Sequence, residues 1–230
     1  MKFEKYEAIK NDFIIVNSEV DVIKLCDRHS AIGADGVIVI KDINKDIIDI
    51  KIYNADGSEA TTCGNGLRCV GNYLHSKSNK ENFKVRTIAS TYNVNHIKDN
   101  IYEVDFNRIN DIKKEDDYYV VNSGNLHVFS INIKDFTSFI NRVRSKYDCN
   151  VENVKIIDRD NIEVKVNERG VGETLGCGSG AVAVTSALYK DNLINNKVNC
   201  KMDGGTLEIE ILDNIVKLKG EANLVYKGEI

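Results

Sequence analysis

The sequence predicts an α+β fold of two pseudo-symmetric lobes, each made of short strands wrapped around one central buried helix. Three observations carry this. A cysteine-bearing turn occurs twice, as Cys63-Gly64-Asn65-Gly66 and as Cys177-Gly178-Ser179-Gly180, and 177 − 63 = 114 is almost half of the 230 residues. The same offset relates segments far from the cysteines: Ile48-Asp49-Ile50-Lys51-Ile52 matches Ile162-Glu163-Val164-Lys165-Val166, and Asp99-Asn100-Ile101 matches Asp213-Asn214-Ile215. The stretch after each cysteine is apolar on most faces (Leu67, Cys69, Val70, Tyr73 and Leu74; Ala181, Val182, Ala183, Val184, Ala187 and Leu188), the pattern of a buried helix. So long a period is a duplication with one structural unit per half, not a solenoid.

Alternation of apolar and polar residues predicts first-half strands over 13–16, 36–41, 47–54, 83–87, 92–98 and 101–106, with helices over 20–29 and 65–77. In the second half it predicts strands over 118–122, 127–132, 153–157, 161–167, 206–212 and 214–219, with helices over 135–146 and 179–190. Asp135 is placed to cap the third helix, ahead of Phe136, Phe139, Ile140 and Val143 at helical spacing. The lobes are expected at 1–114 and 115–230, joined by the polar stretch Asp111-Ile112-Lys113-Lys114-Glu115-Asp116-Asp117, with the terminal strand free to cross to the first lobe.

Composition excludes several classes. Forty-two per cent hydrophobic and 29% charged residues are ordinary globular usage. A net charge of −4 with scattered lysine and arginine gives no footprint for nucleic acid or for an anionic membrane. No apolar run reaches the ~18 residues of a membrane-spanning helix, and the charged N-terminus lacks a signal-peptide core, so a cytoplasmic location is expected. There the six cysteines stay reduced. They form no Cys-x-x-Cys and the four histidines do not cluster, so no metal site is expected. Proline is absent where ordinary usage gives about eleven, which leaves Gly, Asn and Asp to set the loops.

The repeated turn carries the chemistry. The first amides of a helix have no internal partner and form the positive end of its dipole. The N–H groups of Gly64 and Asn65, and of Gly178 and Ser179, can therefore hold a carboxylate, and the glycines let it come close. A cysteine at such a position has its thiolate favoured, so Cys63 and Cys177 are expected with acidities moved from ~8.5 toward neutrality. Two such thiols facing each other across an amino acid form an acid–base pair: one takes the α-proton, the other delivers a proton to the opposite face. No cofactor is required, and nothing in the pattern points to pyridoxal phosphate.

Longer signatures surround both turns. Asn54-Ala55-Asp56-Gly57-Ser58-Glu59 leading to Cys63-Gly64-Asn65-Gly66-Leu67-Arg68-Cys69 resembles the first signature of the diaminopimelate epimerase family, and Glu168-Arg169-Gly170 through Cys177-Gly178-Ser179-Gly180-Ala181 resembles the second. Asn11-Asp12-Phe13, Gly33-Ala34-Asp35-Gly36, Gly124-Asn125-Leu126-His127, Asn150-Val151, Gly204-Gly205 and Val225-Tyr226 extend the resemblance along the whole chain. It implies that family's two-lobed fold, with Cys63 and Cys177 as the catalytic acid/bases and no cofactor. It further implies that Glu168 and Asn54 lie near the α-amino group or the reacting centre. Asn11, Asn54, Asn125, Asn150 and Arg169 would hold the substrate, His127 would support catalysis, and Tyr226 would belong to a homodimer interface. The chain departs from the family at Leu126 and Glu221, where proline is usual, and it is shorter, chiefly between Cys69 and Asn125.

Other candidates read as structure. Cys69 falls on the buried helix face and matches Ala183; Cys26, Cys149 and Cys200 read as packing, Glu59 and Glu173 as structural, and His29, His75 and His96 as surface residues. The expected function is inversion of an amino-acid α-carbon, LL- to meso-diaminopimelate. The alternatives are racemisation of another amino acid (histidine, lysine or a lanthionine-like diacid) and amino-acid binding without catalysis.

Overall fold

The computed structural model describes residues 1–230, and in it the chain divides between Asp105 and Phe106 and again between Leu218 and Lys219. The first unit comprises Met1–Asp105 and Lys219–Ile230. Its elements are β1 (Lys2–Ala8), β2 (Asn11–Val16), α1 (Val22–Cys26), β3 (Gly36–Ile40), β4 (Ile47–Asn54), β5 (Glu59–Ala60), α2 (Gly64–Ser78), β6 (Asn82–Arg86), β7 (Thr91–Lys98) and β8 (Ile101–Asn107). The second unit, Phe106–Leu218, holds β9 (Ile112–Lys114), β10 (Tyr119–Asn122), β11 (Leu126–Ile131), α3 (Phe136–Arg144), β12 (Asn150–Ile156), β13 (Asn161–Glu168), β14 (Gly172–Thr174), α4 (Gly178–Lys190), β15 (Lys197–Met202) and β16 (Gly205–Ile211). β17 (Ile215–Glu221) leads the chain out of this unit, and β18 (Asn223–Glu229) completes the first.

In the first unit β1 pairs antiparallel with β18 and β2, β2 runs parallel to β3, β3 antiparallel to β4, β4 parallel to β6, and β6, β7 and β8 follow antiparallel. These strands pack around α2, whose Leu67, Cys69, Val70 and Leu74 are buried. Close packing there requires Gly71, because a Cβ would stand 2.7 Å from Val94 Cγ1 and 2.9 Å from Tyr102 Cδ1. The helix ends at Asn79, a left-handed C-cap (φ 54°) of the kind asparagine tolerates.

The second unit repeats the plan around α4. β11 runs parallel to β12, β12 antiparallel to β13, β13 parallel to β15, and β15 antiparallel to β16. The offset of 114 carries β4 (Ile47–Asn54) onto β13 (Asn161–Glu168) at both ends, and it carries the pair Phe13/Gly36 onto the pair His127/Asn150. From Gly178 to Leu188 every residue of α4 is buried, so burial rather than an amphipathic stripe fixes this helix.

The structure corrects several expectations. The division does not fall in the polar stretch 111–117, which instead carries β9, hydrogen-bonded to β10. Helix α1 spans Val22–Cys26 and not 20–29, because the Asp27 N–H turns back to the Lys24 carbonyl while its carboxylate takes the His29 N–H and the Ser30 hydroxyl. Alternation missed β1, whose interior charges Glu4 and Lys5 are buried in ion pairs with Lys77 and Asp12. It missed β18 as well, a largely exposed strand whose partner is at the other end of the chain. The short β5 and β14 escaped, as did β15, although Val198, Cys200 and Met202 alternate inward. His75 and His96 are half-buried and stack at 3.9 Å between ring centroids. No helix is long and apolar enough to cross a membrane.

Candidate active site

Both cysteines are helix N-caps. Cys63 (φ −149°, ψ 113°) begins α2 and Cys177 (φ −129°, ψ 113°) begins α4; each sulfur accepts the amide of the residue three on, Gly66 or Gly180, at 3.4 Å. The extended backbone is the ordinary N-cap conformation, with sulfur standing where a hydroxyl or carboxylate oxygen usually does. Gly64, Asn65, Gly178 and Ser179 are buried in the two first turns, where amides lack intrahelical partners. The two glycines differ in what they make room for. A Cβ on Gly180 would lie 2.9 Å from Glu152 Oε1, whereas one on Gly66 would meet Ile38 Cδ1 at 3.3 Å.

In the first unit the candidates Asn11, Asn65 and Cys63 come together. Asn11 Oδ1 accepts from Asn65 Nδ2 at 3.2 Å and lies 3.9 Å from Cys63 Sγ. Asn11 Nδ2 donates to Asp35 Oδ2, and Asp35 and Asp12 share the guanidinium of Arg28. Burial pushes Asp12 upward, yet hydrogen bonds from Arg28, Lys5 and the Asp35 amide outweigh it and hold the carboxyl below its ordinary value. Asn54 is exposed at the β4–β5 turn, where its Nδ2 donates to Ser58 Oγ.

In the second unit a hydrogen-bonded chain leads to Cys177. Glu152 Oε1 lies 2.6 Å from His127 Nδ1, His127 Nε2 lies 3.2 Å from Ser179 Oγ, and Ser179 Oγ lies 3.4 Å from Cys177 Sγ. Glu152 and His127 are wholly buried, and Glu152 Oε2 has no hydrogen-bond partner. Glu168, at the end of β13, accepts from Thr174 Oγ1 at 2.6 Å. Burial, then the charges of Glu168 and Glu152, push the Cys177 thiol well above its ordinary value, overriding hydrogen bonds from Ser179 and Gly180. This reverses the expectation of a lowered value: the helix terminus acts on a site that is dry and faces carboxylates.

Asn150 and Arg169 are also brought together, with the Arg169 N–H donating to Asn150 Oδ1 at 2.9 Å and the guanidinium pairing with Asp148 at 2.8 Å. Arg169 lines an open concavity of about 460 Å³ with Arg144, Lys146 and Tyr147. Asn125 stands in the turn before β11, half-buried, its carbonyl accepting the Ser123 N–H while Ser123 Oγ bonds the Ser179 carbonyl. Tyr226, on β18, packs edge-on against Phe3 and is 42% exposed.

Sequence reasoning missed Glu152, Arg68 and the role of Asp35 in holding Asn11. A signal for the first was present. At the offset of 114, His127 and Glu152 answer to Phe13 and Ile38, so two apolar places have become polar together.

The family model described as diaminopimelate epimerase matches residues 3–108 and 114–225. A diaminopimelate epimerase of Acetivibrio thermocellus is 32% identical over 276 aligned positions, covering 100% of this chain and 98% of its own. The diaminopimelate epimerase of Methanocaldococcus jannaschii is 31% identical, with 100% and 98% covered. Among solved structures, a predicted epimerase from Pseudomonas aeruginosa superposes with a TM-score of 0.78 at 12% identity, over 100% of this chain and 98% of that one, a likeness of fold.

Proposed function

The chain belongs to the diaminopimelate epimerase family, a family of amino-acid epimerases, and on that premise we propose that it converts LL- to meso-diaminopimelate, a step toward lysine. The observation that carries this reading is the equivalence of Cys63 and Cys177, two thiols capping the buried helices of duplicated units. Packing alone would not demand a thiol at both caps.

In the proposed reaction one sulfur, as thiolate, removes the α-hydrogen as a proton, forming S–H as the Cα–H bond breaks. The electron pair left on Cα spreads into the α-carboxylate. The other thiol then gives its proton to the opposite face, and its sulfur ends as the thiolate. One thiol and one thiolate are present before and after, with roles exchanged. The developing carboxylate charge falls to the first-turn amides of Gly64, Asn65, Gly178 and Ser179. Glu168 and Asn54 serve the α-amino group. Asn11, Asn125, Asn150 and Arg169 serve the distal amino-carboxylate, the forked guanidinium suiting a carboxylate. His127 acts on Cys177 through Ser179.

The same reading makes the protein a homodimer with Tyr226 at its interface; a monomer mass by light scattering removes that part. The activity is tested by incubating reduced protein in deuterated water with LL- and meso-diaminopimelate, histidine, lysine and lanthionine. Deuterium should enter the α-position of diaminopimelate. Exchange only with another amino acid changes the substrate, and exchange with none leaves an amino-acid-binding protein.

A further inference from the structure

Arg68 is wholly buried in α2, yet its guanidinium bonds only neutral oxygens. Nε donates to the Glu221 carbonyl at 3.4 Å, one terminal nitrogen to the Gly64 carbonyl at 3.2 Å, and the other to Asn65 Oδ1 at 2.8 Å. Burial lowers its pKa only to about 10, so the cation persists at neutral pH. A dry charge without a counter-ion is strongly unfavourable, and such groups are found paired. Three ionisable groups act on its charge, in the order Cys69, Cys63 and Glu7. The Glu7 carboxylate acts on it least of the three and is itself hydrogen-bonded by the Lys10 N–H at 2.9 Å and Asn223 Nδ2 at 2.7 Å. Cys69 is sealed in the core, where burial drives its thiol upward despite the neighbouring cation. Cys63 is left: half-exposed, it caps the turn whose Gly64 carbonyl and Asn65 side chain hold the guanidinium, and its sulfur accepts the Gly66 amide.

The duplication sharpens the point. The offset of 114 puts Val182 in place of Arg68, and puts Ile38 and Asn54 in place of Glu152 and Glu168, the carboxylates that act on Cys177. The other charges at this end of α2 are internally matched. Asp12 from β2 is paired with Lys5 and Arg28, and Asp35 is paired with Arg28. We propose that Arg68 is the resident counter-cation of a Cys63 thiolate, so that the resting enzyme holds Cys63 ionised and Cys177 protonated. Arg68 is thus a positioning residue for charge: the resting protein is set to take a proton at Cys63 and give one at Cys177. The consequence for turnover rests on the two-thiol reading above; the ionisation itself does not.

The test is pH-resolved alkylation of the native full-length protein with iodoacetamide, read at each cysteine by mass spectrometry, with far-ultraviolet thiolate absorbance recorded in parallel. Cys63 should label with a midpoint below the ordinary thiol value of ~8.5, and Cys177 only above it. Arg68→Met should raise the Cys63 midpoint by at least about one pH unit, a tenfold change in thiolate fraction, and Arg68→Lys should restore part of it. A wild-type Cys63 midpoint at or above that of Cys177 overturns the proposal whether or not the variants fold. So does an unmoved midpoint in folded Arg68→Met. Because the readout needs no substrate, loss of the epimerase reading in the exchange panel would leave this result standing, and the reverse also holds.

Discussion

Glu152 Oε1 stands 2.6 Å from His127 Nδ1, both side chains wholly buried, and the imidazole's other nitrogen reaches toward Cys177 through Ser179. A carboxylate at Nδ1 fixes which nitrogen carries the proton, leaving Nε2 to accept from the serine hydroxyl. The hydroxyl can then accept from the thiol. Replacing Glu152 by Gln keeps the shape and removes the charge, at a cost of about 1–1.5 kcal/mol of charge-assisted bonding. The expected result is a roughly tenfold lower kcat with KM little changed, measured by α-proton exchange. An unaltered kcat and pH profile would show that the pair serves packing alone.

Removing either thiol should slow inversion steeply. Cys63→Ser and Cys177→Ser are each expected to slow epimerisation by about 10²–10⁴-fold, the scale of general acid–base catalysis, with thermal stability nearly intact. A variant that inverts diaminopimelate at the wild-type rate would refute the two-thiol mechanism.

The paired glycines should respond unequally. In Gly180→Ala the new Cβ meets Glu152 Oε1 at 2.9 Å and must displace it, whereas in Gly66→Ala it meets the Ile38 methyl at 3.3 Å. Gly180→Ala is therefore expected to cost about 1–3 kcal/mol and most of the activity, and Gly66→Ala less of both. Thermal melts of the two variants side by side decide it; equal losses would contradict the contact.

Stability should fall at both ends of the pH scale. Asp12 has a depressed folded pKa, so its contribution is present above its unfolded value near ~4 and is lost as pH drops through the folded one. The buried thiols act in the opposite sense: Cys177 is driven up by burial and carboxylates, and Cys200, by burial first, to about 12. Their contribution is present below the unfolded thiol value near ~8.5 and is lost as pH rises toward the folded values. Denaturant titrations from acid to alkaline pH should give a plateau between these limits, and Asp12→Asn should flatten the acid slope. An acid slope equal to that of the wild type would exclude Asp12 as its source.

Arg169 is exposed and its partner Asp148 more so, which makes their ion pair expendable for folding. Arg169→Ala should change stability by less than about 0.5 kcal/mol. It should raise KM for diaminopimelate by about tenfold or more, as expected for a lost carboxylate contact. An unchanged KM would place the distal carboxylate elsewhere.

The sequence by itself determined the duplication, the four helices, most strands and both cysteine turns, because each is a local pattern. Period-two alternation, apolar faces and the Cys-Gly-x-Gly turns are properties of neighbouring residues, and the offset of 114 survives to the ends of β4 and β13. The tertiary structure alone decided what surrounds each sulfur. Glu152 reaches His127 because β11 and β12 run parallel, with His127 beside Asn150. β18 exists because β1 is there to pair with it. A helix terminus favours a thiolate in either half, but burial and the sign of the nearest charge outweigh it. At Cys177 those are set by side chains distant in sequence, the carboxylates of Glu152 on β12 and Glu168 on β13.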